Sequence, residues 1–176
     1  VFRGSEHDVL GRVVGAQSQQ QSDIVVEITG DCILIDPQIV DLAVRTFFEN
    51  DCDVVSTCRK RAFPMGMCAQ VYTLSALRYV GEHVRDEAVR EHVSLYFYEH
   101  PEHYRIVHVM APDRWWLPEC RTQLDYHEDL LFINAVYARL EPVYGEGFGI
   151  EELTQLMRRE PDLLDINRHC IERSAR

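Results

Sequence analysis

The chain has 176 residues, of which 46% are hydrophobic and 10% aromatic, enough to bury roughly 70% of the unfolded surface in about one domain. That composition excludes a disordered or collagen-like chain. Acidic residues outnumber basic ones 29 to 18, and a net charge of −11 repels nucleic-acid backbones, so a nucleic-acid partner is not expected.

The opening stretch Val1-Phe2-Arg3-Gly4-Ser5 reads as a loop entered from an earlier strand, so the chain is expected to begin in mid-domain. Ile24 to Ile28 is a nearly continuous β-branched run, expected as a strand buried on both faces, and it ends in Thr29-Gly30-Asp31. Asp36 followed by Pro37 is an N-cap with proline at the first helical position. Ile39, Val40, Ala43, Val44, Phe47 and Phe48 then form a helical apolar stripe. Asp53 to Thr57 is the next strand, which completes a β-α-β unit and predicts an α/β class with a mostly parallel sheet flanked by helices.

Arg59-Lys60-Arg61, the densest basic cluster, is expected in a solvated loop spanning Arg59 to Met67. Ala69 to Thr73 and Arg105 to Val109 read as strands, with helices over Ser75 to Val80 and Asp86 to Tyr98. Arg121 to Leu124 reads as a short strand, and Asp125 with Glu128 as a capping box opening a helix through Leu140. The main domain is expected over 1–142. Residues 143–176 follow as a glycine-rich linker with two short helices, Ile150 to Arg159 and Pro161 to Ile171.

Cys32, Cys52, Cys58, Cys68, Cys120 and Cys170 contain no C-x-x-C pair and are expected as reduced thiols. No apolar run approaches the ~20 residues of a membrane span, and a cytoplasmic protein without a membrane partner is expected. His100 and His103 lack a matching ligand set and are expected as surface residues. Ala88, Val89, Val93, Tyr96, Phe97, Tyr104 and Trp115-Trp116 exceed what one core is expected to cover, which points to a homodimer.

Asp31 and Asp125 both fall past strand ends, where ligands of open α/β sheets bind, and two such carboxylates suit a hard cation such as Mg²⁺. Local roles compete with that reading: Asp125 as a cap, Asp31 as a turn residue.

Four ordered segments, Phe2 to Arg12, Thr29-Gly30-Asp31-Cys32 through Asp36-Pro37, Arg90-Glu91-His92-Val93, and Leu124 to Leu130, resemble the cytidylyltransferases of spore-coat and surface polysaccharide biosynthesis. These are related to acylneuraminate and 3-deoxy-manno-octulosonate cytidylyltransferases. Pro161 to Asn167 resembles the closing helix of that family. The resemblance implies a Rossmann-like fold of the nucleotide-diphosphosugar-transferase type that binds CTP and Mg²⁺, transfers CMP to an acceptor and releases pyrophosphate. By the same resemblance Asp31 and Asp125 are the catalytic, metal-binding carboxylates, Ser5, Asp8 and Arg12 lie near the nucleotide, and Arg90 and His92 lie near the acceptor. The resemblance also implies leading β-α units upstream of Val1, roughly 60 to 80 residues.

His127, Ile33 and Leu95 stand where the family usually has proline, and Cys68 and Gln70 where it usually has acidic residues. Fewer negative charges favour an acidic acceptor, a nulosonic acid or a phosphonate. The competing reading is a non-catalytic interaction domain of the same fold. A glycosyltransferase is disfavoured because no Asp-x-Asp occupies the first metal position.

Overall fold

A computed structural model describes residues 1–172. Helix α1 (Val9–Gln19) leads into β1 (Ile24–Glu27), α2 (Pro37–Glu49), β2 (Val54–Ser56), β3 (Gln70–Thr73) and α3 (Leu74–His83). Two short helices follow, α4 (Glu87–Glu91) and α5 (Leu95–Glu99), then β4 (Ile106–His108), α6 (His127–Tyr144) and α7 (Ile150–Arg159). Short 3₁₀ turns cover Asp113–Trp115, Gly145–Gly147 and Pro161–Ile166.

The four strands form one sheet in the order β1-β3-β2-β4. β2 and β4 pair in parallel, whereas β3 runs antiparallel to both β1 and β2, so three strands share a direction and one opposes them. β1 and β2 are therefore not neighbours in the expected β-α-β unit; β3 is inserted between them.

Strand alternation divides the core into two layers, one on each face of the sheet. Val55 and Val71 join α2, α6 and α7 through Ile39, Phe47, Phe132, Val136 and Leu153. Val25, Val54 and Tyr72 join α1, α3, α4 and α5 through Leu10, Leu77, Val80, Val89 and Phe97. The surplus of apolar residues read as a dimer surface belongs largely to this core: Val89, Val93, Phe97 and Trp115 are buried, and Trp116 remains exposed.

Asp36 caps α2 as expected, accepting from Gln38 N at 2.6 Å, and its other oxygen accepts from Ile150 N at 2.6 Å. One buried carboxylate thus holds the N-termini of both α2 and α7, which favour negative charge. It also ties the segment beyond 142 to the rest of the core.

Several local expectations shift. The opening residues 1–5 are a loop as expected, and α1, a helix with no counterpart among those expectations, follows; Asp8 caps it by accepting from Gly11 N at 2.8 Å, and Leu10 anchors it. The expected helix over Asp86 to Tyr98 is broken at His92, whose backbone leaves helical geometry, although Val89, Val93 and Phe97 still reach one core. The expected strand from Arg121 to Leu124 is a single bridge between Arg121 and Met65. Helix α6 starts later, capped at Tyr126 with Asp129 rather than by Asp125 and Glu128. It also runs through Pro142 to Tyr144, since a proline in the last turn forfeits only one helical bond. Pro161 to Ile166 is 3₁₀ and the turn does not extend to Ile171.

Candidate active site

The carboxyl end of β1 runs into the loop carrying Asp31, and the segment before α6 carries Asp125. Leu124 N donates to the Asp31 carbonyl at 3.1 Å, and Gln123 Nε2 donates to Asp31 Oδ2 at 2.6 Å. Residues 92 positions apart are thereby stitched together at one rim of the sheet.

The segment holding Asp125 is fixed from beneath. Arg121, 5% exposed, donates Nε to Asp129 Oδ1 at 2.8 Å and Nη2 to Asp129 Oδ2 at 3.1 Å, and Asp129 is fully buried. Asp129 Oδ2 also accepts from the backbone N of Asp125 and Tyr126, at 3.0 and 2.9 Å. Asn167 Nδ2 donates both to Asp129 Oδ1 and to the Arg121 carbonyl. Burial alone would raise the Asp129 pKa, but the bonds from Arg121, Asp125, Asn167 and Tyr126 outweigh it and hold the carboxyl below its ordinary value.

From the other side, Met65 accepts from Thr122 N at 2.6 Å and from Thr122 Oγ1 at 2.9 Å. Gly66 at φ 93° completes the approach, because a Cβ there would come within 2.3 Å of Gln123 N.

Asp125 itself accepts from Arg121 Nη2 at 2.7 Å and is 42% exposed at its side chain. The second oxygen of Asp31 and of Asp125 carries no hydrogen bond among the described residues, and a Cβ at Gly30 would meet nothing within 4 Å. Two oxygen donors beside open space are a donor set that fits Mg²⁺, which keeps waters and takes one or two carboxylates together with substrate phosphate.

Beside this rim lies a cleft of about 400 Å³, a size that suits a small-molecule ligand. Cys68, Gln70 and His92 line it, as do Cys58, Tyr98 and Gln123. Arg59 and Arg61 also face it, so the basic cluster expected in a solvated loop supplies guanidinium groups to the cleft wall. Arg59 stacks over Tyr98 with its Cζ 5.1 Å from the ring centre.

Gln70 is committed at both ends of its amide. Its Oε1 accepts from the Tyr98 hydroxyl and its Nε2 donates to Glu27 Oε2 at 3.4 Å. Tyr72 also donates to that Glu27 oxygen, at 2.7 Å. Burial pushes the Glu27 carboxyl above its ordinary pKa despite the opposing Tyr72 bond and the nearby His92. An unfolded Glu ionises near pH ~4.3, so as pH rises from there through the higher folded value, the unfolded state loses its proton first and stability falls. Denaturant unfolding of Glu27→Gln should lack this loss, and a wild-type minus mutant difference that is flat across the window would contradict it.

The remaining sequence candidates do not enter the cleft. Arg90 pairs with Asp8 at 3.2 Å and donates to the Gly81 carbonyl at 3.0 Å, joining α4 to α1 and α3. Arg12 donates to the carbonyls of Ser5 and Glu6. It also lines a shallower hollow of about 290 Å³ with Phe2, Glu27 and Ile28, next to the end of β1. His103 is exposed as expected and His100 is half-buried, and with Glu102 they form a three-ligand group.

The chain matches the cytidylyltransferase family over residues 1–145. It is 31% identical over 165 residues to the spore coat polysaccharide biosynthesis protein SpsF of Bacillus subtilis, covering 92% of this chain and 66% of that protein. An uncharacterised protein of Methanocaldococcus jannaschii is 27% identical over all of this chain and 70% of its own length. A solved cytidylyltransferase from Leptospira borgpetersenii superposes with a TM-score of 0.85 at 28% identity, covering 93% of this chain and 68% of that one. The chain spans about two thirds of the length of these relatives. Matched by the family over residues 1–145 and sharing the fold of a solved cytidylyltransferase, the chain belongs to the cytidylyltransferase family.

Proposed function

We propose that this chain takes part in Mg²⁺-dependent transfer of CMP from CTP to an acidic acceptor, with release of pyrophosphate, in surface polysaccharide biosynthesis. The observation that carries this reading is the pairing of the Asp31 and Asp125 segments at the edge of the cleft in a chain of this family. An acceptor oxygen attacks the α-phosphorus of CTP while the bond to the β-phosphate bridging oxygen breaks. The bound cation supplies charge neutralisation at the phosphates. Asp31 and Asp125 hold it, and the Arg121, Asp129 and Asn167 contacts keep Asp125 in position. No side-chain nucleophile is needed, only in-line placement of the two reactants.

On this reading the hollow beside Arg12 lies on the nucleotide side, with Ser5 and Asp8 shaping the loop that borders it. Cys68, Gln70 and His92 form the acceptor side, and Arg90 braces it from behind. Arg59 adds positive charge there, which supports an acidic acceptor. The reading includes a cytoplasmic setting. No described helix is long and apolar enough to cross a membrane. Assembly as a homodimer is proposed on the family resemblance, because the apolar residues first offered for it are mostly core.

The acceptor assignment makes a direct prediction. Cys68→Asp with Gln70→Glu brings a new carboxylate beside Glu27 and another into the cleft. Turnover of acidic acceptors should fall by roughly 10- to 1000-fold, the scale of like-charge juxtaposition costing several kcal/mol. The assay follows pyrophosphate with CTP, Mg²⁺ and a panel of nulosonic acids, phosphonates and neutral sugars. Preference of the wild type for neutral sugars would overturn the assignment.

A further inference from the structure

The antiparallel register of β2 and β3 pairs Val54 with Tyr72, Val55 with Val71 and Ser56 with Gln70. The pairing continues one step past the strands: Thr57 N donates to the Ala69 carbonyl at 3.2 Å, and Ala69 N donates to Thr57 Oγ1 at 2.9 Å. Continued one step further, beyond the ends of both strands, the same register sets Cys58 against Cys68. Positions opposite one another alternate between hydrogen-bonded and non-hydrogen-bonded pairs, and in the latter the Cα atoms lie about 4.5 Å apart with their side chains close. That separation is within the range a disulfide spans, about 4.4 to 6.8 Å. The Cys58 thiol reaches the Ala69 carbonyl, one residue from Cys68, at 4.0 Å, and both cysteines line the cleft while remaining partly accessible.

We propose that Cys58 and Cys68 form an oxidisable dithiol in the wall of the cleft, a modification site for hydrogen peroxide that closes to a cross-strand disulfide. The bond's formation stands independently of the proposed CMP transfer; its effect on turnover rests on that reading.

The surroundings divide the roles. The Cys58 thiol and the Gly66 backbone N–H both donate toward Cys68 and hold its pKa below the ordinary thiol value, which favours the thiolate. Cys58 is held protonated by its bond to Cys68 and by burial. The Cys68 sulfur attacks one peroxide oxygen, the O–O bond breaks, and Cys68 becomes a sulfenic acid as hydroxide leaves and takes up a proton to form water. Cys58 sulfur then attacks the sulfenic sulfur, the S–S bond forms, and the hydroxyl departs as a second water with the Cys58 proton. Two thiols are oxidised and one peroxide is reduced to two waters.

Among the other thiols, Cys32, Cys52 and Cys120 are buried, and Cys32, which lines the cleft near Cys68, is the competing partner. Gln70 sits two residues from Cys68 within the Tyr98 and Glu27 network, so a covalent link at Cys68 alters the wall that faces the acceptor.

The test treats the reduced 176-residue chain with hydrogen peroxide, blocks remaining thiols with an alkylating reagent and maps the peptides by mass spectrometry. The expected result is a fall from six free thiols to four, with a Cys58–Cys68 linked peptide that dithiothreitol reverses. Cys58→Ser should lose the linked peptide, as should Cys58→Ala if the serine variant folds poorly, whereas Cys170→Ser should retain it. A Cys32–Cys68 link, irreversible oxidation of Cys68 without any link, or six surviving thiols would each overturn the proposal. Where the reduced chain turns over CTP, the oxidised form should be slowed on the order of 100-fold, the effect of displacing a reacting group by about 1 Å. A linked chain that retains full turnover removes the effect on the cleft and leaves the disulfide standing. A chain with no turnover in either form bears on the CMP-transfer reading alone.

Discussion

Asp31→Asn and Asp125→Asn should each reduce CTP-dependent pyrophosphate release by about a thousandfold or more, the scale expected when a cation contributing several kcal/mol to transition-state stabilisation is lost. Neither change should unfold the protein. In Asp31→Asn the side-chain oxygen that remains would still accept from the Gln123 amide. Asp125 is 42% exposed with one hydrogen bond to Arg121, a setting in which an ion pair contributes at most about 1 kcal/mol. Asp125 is not the cap of α6, so its loss leaves the helix start intact. Steady-state rates measured alongside denaturant unfolding separate the two effects. Wild-type rates in either variant would remove that residue from the site, and loss of rate together with loss of folding would make its role structural.

The largest effect on stability is expected at Asp129. This fully buried carboxylate accepts from Arg121, from two backbone N–H groups and from Asn167, so Asp129→Ala leaves a buried guanidinium and several donors without their partner. Breaking a buried pair in this way costs about 3 to 5 kcal/mol, a large share of the stability of a single domain. Because the folded pKa is depressed, Asp129 contributes stability that is fully present above the unfolded carboxylate value of about 3.9 and is lost as pH falls through the folded value. Denaturant unfolding of Asp129→Ala at neutral pH checks the first part, and that of wild type against Asp129→Asn at neutral and decreasing pH checks the second. The two proteins should converge in acid, and equal stability at neutral pH would contradict the role of this cluster.

Local chemistry made part of this structure legible. The β-branched run before Asp31 and the Asp36-Pro37 cap are written in adjacent residues, and β1 and α2 form where those signals place them. Strand order is a different kind of information. Nothing within β1 or β2 states that β3 will pair between them, since that choice depends on burying Val71 on one face and Tyr72 on the other. Helix α1 is written locally in the Asp8 cap ahead of Leu10, Val13 and Val14, directly after the opening loop.

The candidate site divides in the same way. Asp31 and Asp125 could be singled out because each follows an extended segment, yet the segment before Asp125 is held by Met65, Asp129 and Asn167 rather than by a strand ladder. Asn167 is 38 residues from Asp129, and no local pattern links them. Arg59 is exposed in its loop as its basic run implies, and its stacking on Tyr98 at the cleft depends on a residue 39 positions away. Cys58 and Cys68 lack any motif spacing; only the register of β2 against β3 brings them together.

The central claim is that the Asp31 and Asp125 rim binds CTP through a divalent cation, and titration calorimetry of CTP into the 176-residue chain, with Mg²⁺ and then with excess chelator, tests it most directly. Chelation should weaken CTP binding to the wild type by about 10- to 100-fold, the scale of a disturbed metal site. In Asp31→Asn and Asp125→Asn, affinity should already be low and should respond little to Mg²⁺. Equal CTP affinity with and without Mg²⁺ in the wild type, or an undiminished Mg²⁺ response in both variants, would contradict the account.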